Sequence, residues 1–340
     1  MGAGGGDARR MSRLADDDAT AGTVSPTQAV RRAWSSFDPS RYPEPDSGDL
    51  KARLQEGLGV DARRIVMTNG ASEVAHLLVR TIGAGSLAFM VSPADPEWER
   101  AARLAGLITA GHTADAGASF DLAACCARIG QLKPAVVFVA SPNPATGRSV
   151  TSDELGALIE ATGRGLLVLD DSLACFASHP PDLREWLQCG NFVLMRSLAP
   201  AFGLGGLRIG HAVANPELAT ALSRQQPRWS VNAAAQRAAA AALADIDRYR
   251  RIWIQVRRQR EAMSQRLSVA GFSVLDTDAD FVAIEIGAAA DHAKRLRCSH
   301  TRVADGAEFG LPRLLRLGAR GASECALLLR DLQEGCASIR

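Results

Sequence analysis

Residues suited to anion binding stand at two separate places in the chain. Ala71 and Ser72 stand at a predicted helix start, and the free backbone N–H groups of a helix start bind anions well. The stretch 196–212, RSLAPAFGLGGLRIGHA, offers the hydroxyl of Ser197, then a glycine-rich turn, then a predicted strand that carries Arg208. A fixed cation near a helix start strengthens the hold on an anion. These residue types favour anion binding.

The sequence also offers three groups that could bind a ligand or transfer a proton: Asp170, Ser197 and His211. Asp170 ends the predicted strand Leu166–Leu169, and open α/β sheets bind ligands at the carboxyl ends of their strands. His211 and Ser197 are candidate acid or base groups, although a histidine on a strand more often packs in a core. The six histidines and seven cysteines show no spacing typical of metal ligands, so no metal site is predicted.

The element pattern from residue 64 onward predicts an α/β fold. Short apolar runs, typical of strands buried on both faces, alternate with amphipathic helices. The predicted strands are Ile65–Met67, Leu87–Val91, Ala135–Ala140, Leu166–Leu169 and Phe192–Met195, and the predicted helices between them are Ser72–Ile82, Pro96–Ala105, Leu122–Ile129 and Ser152–Thr162. Ser25-Pro26 is expected to open an earlier helix, and Asp49 to cap one that begins at Leu50. This order indicates a mostly parallel sheet flanked by helices.

The predicted organisation has three parts. Residues 1–24 form a mobile tail, residues 25–245 a large domain, and residues 246–340 a connecting helix followed by a small α+β domain. A formal net charge of +2 gives no reason to expect nucleic acid. No apolar run is long enough to span a membrane, and no signal-like segment opens the chain. We expect a cytoplasmic protein whose cysteines are reduced.

Six motifs carry a family resemblance, and they occur in the family's order. They are Arg41–Glu44 (RYPE), Thr68–Glu73 (TNGASE), Ser141–Gly147 (SPNPATG), Leu169–Ser172 (LDDS), Arg228–Ala233 (RWSVNA) and Asp305–Leu317 (DGAEFGLPRLLRL). Together with residues 196–212 they resemble the pyridoxal-phosphate (PLP) enzymes of aminotransferase class I/II. The resemblance is strongest to histidinol-phosphate aminotransferases and threonine-phosphate decarboxylases. It covers about residues 25–335 and implies fold type I.

The resemblance also implies roles for individual residues. The phosphate of the cofactor would be held by Ala71, Ser72, Ser197 and Arg208, and by Tyr42, which in relatives reaches in from the neighbouring subunit. Asp170 would pair with the ring nitrogen. Arg316 would grip a substrate carboxylate with two hydrogen bonds. Since Ala304 stands where the family has a second arginine, Arg302, two residues away on the same face of a strand, is expected to compensate.

At other positions the chain departs from the family. Pro200 stands where the family has the lysine that forms the Schiff base with the cofactor, and proline has no amine. Pro144 and Leu173 replace an asparagine and a tyrosine that contact the ring, and Asp95 stands where an aromatic residue stacks on it. The three lysines of the chain, at positions 51, 133 and 294, fall elsewhere in the pattern.

Two functions are compatible with this sequence. The first is an enzyme that binds PLP, pyridoxamine phosphate (PMP) or another phosphate ester non-covalently and performs altered chemistry on an amino-acid-like carboxylate. The second is a pseudoenzyme that senses a ligand or pairs with an active aminotransferase-like subunit. An ordinary transaminase or decarboxylase is disfavoured because its chemistry needs the missing amine. In either case we expect a homodimer, or a heterodimer with an active paralogue, because the family site is built across a subunit boundary.

Overall fold

A mixed sheet forms the centre of the large domain in this computed structural model, which describes residues 23–112, 120–300 and 302–338. Its strands are β1 (Ile65–Thr68), β2 (Leu87–Val91), β3 (Ile108–His112), β4 (Val136–Ala140), β5 (Leu166–Asp170), β6 (Phe192–Ser197) and β7 (Gly210–Val213). They lie in the order β1-β7-β6-β5-β4-β2-β3. All neighbours from β6 to β3 are parallel, whereas β7 is antiparallel to both β6 and β1. The carboxyl ends of β4, β5 and β6 therefore meet at one edge.

Helices cover both faces of this sheet. They are α1 (Gln28–Ser35), α2 (Gly48–Leu58), α3 (Ala71–Ile82), α4 (Pro96–Leu104), α5 (Leu122–Leu132), α6 (Ser152–Thr162), α7 (Ala199–Phe202), α8 (Pro216–Gln225) and α9 (Ala233–Ala244). One apolar cluster contains Phe89, Val137 and Leu169, and a second, on the opposite face, contains Met90, Phe138 and Val168. Successive strand residues thus alternate between two buried clusters, which explains why the runs are continuously apolar.

A smaller sheet follows the long helix α10 (Ile246–Val269). Its strands β8 (Ser273–Val274), β9 (Phe281–Glu285), β10 (Val303–Gly306) and β11 (Leu311–Gly318) are antiparallel in the order β10-β11-β9-β8, and α11 (Ala289–Leu296) and α12 (Ala322–Ser338) complete this part. Tyr249 of α10 belongs to the core of the large domain and Met263 to the small-domain core. The helix joins the two cores, as expected of a connector.

Several local predictions need correction. The first helix begins at Gln28 rather than at Pro26, because Thr27 is its extended N-cap and donates its backbone N–H to the hydroxyl of Tyr249 at 3.0 Å. The second begins at Gly48, so Asp49 lies in its first turn, where it pairs with Arg53 instead of capping.

Strand β3 was not predicted, because it is an edge strand whose sequence, ITAGH, is short and half-exposed. The predicted mobile tail lies, apart from its last two residues, outside the described part of the chain. Within that part, no helix is both long and apolar enough to cross a membrane.

Candidate functional site

A cavity of about 430 Å³ opens at the carboxyl edge of β4, β5 and β6. Its lining comes from the large domain and from the region around β11 in the small domain: Ala71, Ser72, Asp95, Pro96, Ala140, Pro142, Pro144, Asp170, Ser172, Leu173, Ser197, Pro200, Arg208, Glu308, Phe309 and Arg316. Open α/β sheets bind their ligands at this edge, at the carboxyl ends of the strands. Residues that are up to 245 positions apart in sequence therefore share one site.

The anion end of the cavity is built around the start of α3. Gly70 is the N-cap residue, with φ 79° and ψ 169°, and Arg208 lies directly against it. A Cβ atom at Gly70 would stand only 2.7 Å from Nη2 of Arg208, so the guanidinium reaches the helix start only because this residue is glycine. The first backbone N–H groups of the helix, at Ala71 and Ser72, have no intrahelical acceptors. A positive potential is thus concentrated at this end.

Arg208 itself differs from the prediction in its backbone. The predicted strand carrying it begins two residues later, at Gly210, and Arg208 ends a 3₁₀ turn (Gly205–Leu207) in the left-handed region at φ 53°. Within the described part of the chain, its side chain makes no hydrogen bond or ion pair. The hydroxyl of Ser197, which accepts the backbone N–H of Ala199 at 3.1 Å, lies in the same cavity. The guanidinium is available to a ligand.

Asp170, at the end of β5, places an acidic group in the same cavity as the cationic Arg208. Burial raises the pKa of its carboxyl to about 7, two hydrogen bonds from Ser172 work against that rise, and the nearby carboxylates Asp171 and Asp95 add to it. The backbone N–H of Ser172 donates to the carboxylate at 2.9 Å, and its hydroxyl donates to the same oxygen. Near neutral pH, Asp170 is therefore poised between its charged and neutral forms, and a cationic group brought beside it would favour the charged one.

Ser172 was not singled out by the sequence, yet it organises this edge. Its hydroxyl donates to Asp170 and accepts the backbone N–H of Ser197 at 2.7 Å, so it ties the end of β5 to the end of β6. The next carboxylate, Asp171, is buried and forms a two-point ion pair with Arg196, with Nε and Oδ1 2.8 Å apart. Ser172 stands two residues after Asp170, and this spacing was the only signal in the sequence for its role.

Arg316, on β11, also lines the cavity. Its guanidinium donates to the carbonyl of Pro144 at 2.9 Å and pairs with Glu308 at 3.1 Å. The ring of Phe309 lies 4.8 Å from its central carbon. Two arginines, Arg208 and Arg316, and the carboxyl group of Asp170 thus line one cavity.

Three predicted site residues, Tyr42, Arg302 and His211, lie outside this cavity. The Tyr42 side chain is 78% exposed and packs on Trp229, with ring centroids 4.7 Å apart. Arg302 adopts φ 61° and pairs with Glu324 of α12 at 2.9 Å, so its predicted place at the pocket is wrong. The left-handed backbone breaks the alternation from which that prediction was made. It is Ala304 that stands opposite Arg316 on the neighbouring strand.

His211 is also wrong as a candidate acid or base at this cavity. It is fully buried on β7, and its neighbours across the sheet are Met67 and Arg196. Burial, and to a smaller extent the nearby charge of Arg196, lower the pKa of its imidazole to about 3. Neither ring nitrogen has a hydrogen-bond partner among the described residues. The histidine is an uncharged core residue.

The residues present fit some of the groups of PLP better than others. The helix start with Arg208 fits a phosphate, and Asp170 fits a protonated ring nitrogen. Pro200, which has no amine, lines the cavity, and Pro144 and Leu173 line it without side-chain hydrogen-bonding groups. Of the three lysines, Lys51 lines a separate cavity, Lys133 ends α5 and Lys294 lies on α11. The cavity fits a phosphate and a cationic ring, but not a covalent link to lysine.

The sheet order, the small second domain and the ligand cavity at the carboxyl edge define a fold type I, aminotransferase-like protein. Residues 19–330 match the family described as aminotransferase class I and II, a family of PLP-dependent enzymes, and the chain belongs to it.

Its relatives include histidinol-phosphate aminotransferases. That of Chromobacterium violaceum is 31% identical over 300 residues, 86% of this chain and 83% of that protein. Histidinol-phosphate aminotransferase 2 of Methylococcus capsulatus is 30% identical over 341 residues, 95% of this chain and 90% of that protein.

Solved structures support the same fold. Histidinol-phosphate aminotransferase from Sinorhizobium meliloti, in complex with pyridoxal-5'-phosphate, has a TM-score of 0.83 at 24% identity and covers 99% of this chain and 96% of its own. The L-threonine-O-3-phosphate decarboxylase from Porphyromonas gingivalis has a TM-score of 0.80 at 22% identity and covers 93% of this chain and 98% of its own. The predicted fold class and superfamily are confirmed.

Proposed function

We propose that this aminotransferase-like chain binds a phosphorylated small molecule non-covalently. The candidate ligands are PLP, PMP and an amino-acid phosphate. The observation that carries the proposal is the pairing of two features in one cavity. Arg208 lies uncommitted over the Gly70 helix start, while Pro200 lines the wall where a covalent partner would be needed. The ligand would be held by charge and hydrogen bonds alone.

The strength of such binding follows from the number of charged contacts. Each charge-assisted hydrogen bond to a buried phosphate contributes about 1.5–3 kcal/mol net. Three or four of these contacts correspond to affinity in the micromolar range, about −8 kcal/mol. Ala71, Ser72, Ser197 and Arg208 supply that number of donors. A covalent link is therefore unnecessary for occupancy.

Chemistry on the ligand would have to use groups other than a lysine amine. The Asp170 carboxyl, with its pKa raised to about 7, lies on the cavity wall and is suited to exchange a proton near neutral pH. Ser197 lines the cavity as well. We propose that turnover, acting on an amino-acid-like carboxylate near Arg316, proceeds without participation of lysine.

A second function is favoured by a different observation. His211, the histidine predicted as an acid or base, is buried in the core and does not line the cavity. Pro144 and Leu173 likewise give the ring of a cofactor no side-chain hydrogen bond. These features support a protein that binds its ligand without turnover, as a sensor or as the partner of an active aminotransferase-like subunit.

Assembly into a dimer is part of the proposal. Tyr42 is highly exposed, and its ring rests on Trp229, over which Arg228 stacks at 4.4 Å. An exposed aromatic pair of this kind is suited to burial at an interface. We propose that Tyr42 reaches the anion end of a second subunit, either another copy or an active paralogue.

Calorimetric titration with PMP tests the binding proposal. Wild-type protein should bind PMP in the micromolar range, and Arg208→Ala should weaken binding at least about tenfold through loss of a charged contact. Arg103→Ala removes an equal charge from the exposed face of α4 and serves as the control. Undetectable PMP binding, or equal effects of the two substitutions, would contradict the proposal.

A further inference from the structure

The guanidinium of Arg316 is already paired with a carboxylate in this structure. Glu308 approaches Nη2 of Arg316 to 3.1 Å, and the two side chains differ in their surroundings. The arginine side chain is 4% exposed, whereas that of the glutamate is 58% exposed. One partner is fixed in the protein and the other extends into solvent.

The two backbones reinforce this difference. Arg316 lies on β11, which is paired on both sides, with Ala304 opposite on β10 and Ala283 opposite on β9. Glu308 lies on the 3₁₀ turn Ala307–Phe309, which ends at Gly310 in the left-handed region. A side chain on an exposed turn can change rotamer without disturbing a core. Glu308 can therefore leave Arg316, while Arg316 stays in place.

Glu308 presents the same chemical group as the carboxylate of an amino-acid ligand. Both Glu308 and Arg316 line the cavity, so a ligand carboxylate drawn to Arg316 meets Glu308 there. Glu308 belongs to the same chain as Arg316 and lies beside it. Its effective concentration at the arginine is therefore high, on the order of millimolar or above. A ligand carboxylate must displace it, whereas a ligand without a carboxylate need not.

We propose that Glu308 is a specificity-determining residue that competes with ligand carboxylates for Arg316. It lowers the affinity of the cavity for amino-acid phosphates relative to amine phosphates that have no carboxylate. The inference rests on the proposed function, because it assumes that the anion end around Arg208 holds a phosphate. When an amino-acid phosphate binds, its carboxylate replaces Glu308 at Nη2 and the released glutamate becomes hydrated.

A matched pair of probes isolates the carboxylate. O-phospho-L-serine and O-phosphoethanolamine share a phosphate and an ammonium group, and only the first carries a carboxylate. Both would be titrated calorimetrically into wild type, Glu308→Gln and the control Glu324→Gln. Glu324 is also an exposed glutamate of the small domain, paired with Arg302 at 2.9 Å and outside the cavity.

Glu308→Gln should tighten phosphoserine binding roughly 3- to 10-fold, because a half-exposed ion pair to a buried arginine is of modest strength. Phosphoethanolamine binding should stay within about twofold, and Glu324→Gln should change neither ligand. Arg316→Ala should abolish the gain that Glu308→Gln gives to phosphoserine.

Three results would overturn the inference. Equal tightening of both probes would mean a general charge effect, and unchanged phosphoserine affinity in Glu308→Gln would mean that no competition exists. In either case both probes still bind, so the proposed phosphate site survives. Binding of neither probe to any variant would instead overturn the proposed function together with this inference.

Discussion

Replacement of Gly70 by alanine perturbs the anion end of the cavity, because Gly70 lies directly against Arg208. The residue is the N-cap of α3, with φ 79° and ψ 169°, a region that residues other than glycine rarely adopt. The added Cβ would stand 2.7 Å from Nη2 and 3.2 Å from Cζ of Arg208. Because the backbone at this point is fixed by the helix start, the guanidinium must move.

Two separate costs follow from Gly70→Ala. The backbone conformation lowers the free energy of unfolding by about 1–3 kcal/mol. Displacement of Arg208 removes a charge-assisted contact to the ligand phosphate that contributes about 1.5–3 kcal/mol. The second cost corresponds to a roughly 10- to 150-fold loss of affinity for a phosphate ligand.

Calorimetry with PMP would give the affinity, and chemical denaturation would give the unfolding free energy. Gly206→Ala is the matched control, since a Cβ at Gly206, in the same glycine-rich turn as Arg208, meets nothing within 4 Å. Folded Gly70→Ala protein that binds PMP within about twofold of wild type would refute the reasoning. So would an equal loss in Gly206→Ala.

Two further predictions concern the titratable groups. Ser172→Ala removes the one hydrogen bond that the hydroxyl donates to Asp170, so the pKa of that carboxyl should rise above about 7. Because the charged carboxylate favours a cationic ring, PMP affinity should increase with pH, and in the variant this increase should occur at higher pH than in wild type. Coincident pH profiles would contradict this. His211→Gln should leave PMP affinity unchanged, but it should reduce the decrease in the free energy of unfolding that wild type shows as the pH falls. The unfolded imidazole takes up a proton below its ordinary pKa of 6.5, while the folded one resists until about 3, so wild-type stability falls across this range. The free energy of unfolding of both proteins would be measured by denaturation at pH 6 and pH 4.5. Its slope against pH should be steeper in wild type than in His211→Gln by up to about 1.4 kcal/mol per pH unit. Equal slopes in the two proteins would contradict the burial of a neutral histidine.

Much of the fold follows from local sequence because each buried strand carries its own apolar signal. Strands β4 to β6 are covered on both faces, so their runs are continuous and their ends, including Asp170, could be located closely. Strand β3 has one neighbour and an exposed surface, so its sequence carries no such signal. The turn at Arg208 was read as strand because a left-handed φ is set by tertiary contacts rather than by residue type.

The candidate site was predictable where a short motif fixes both identity and place. Ala71, Ser72, Asp170, Ser197, Arg208 and Arg316 do converge on one cavity. No role was predicted for Glu308 or Ser172, because their roles come from the side chains that they contact, Arg316 and Asp170. Arg302 was misjudged because a rule of alternating faces does not hold through a residue at φ 61°.

We propose that this chain has a phosphate-binding cavity without a lysine to form an imine. The most direct test is to saturate the full-length protein with PLP, reduce it with borohydride and map the peptides by mass spectrometry. We expect PLP to be bound at equilibrium, with no pyridoxyl group on the lysines at 51, 133 or 294. A stoichiometric pyridoxyl-lysine peptide from any of these positions would contradict it.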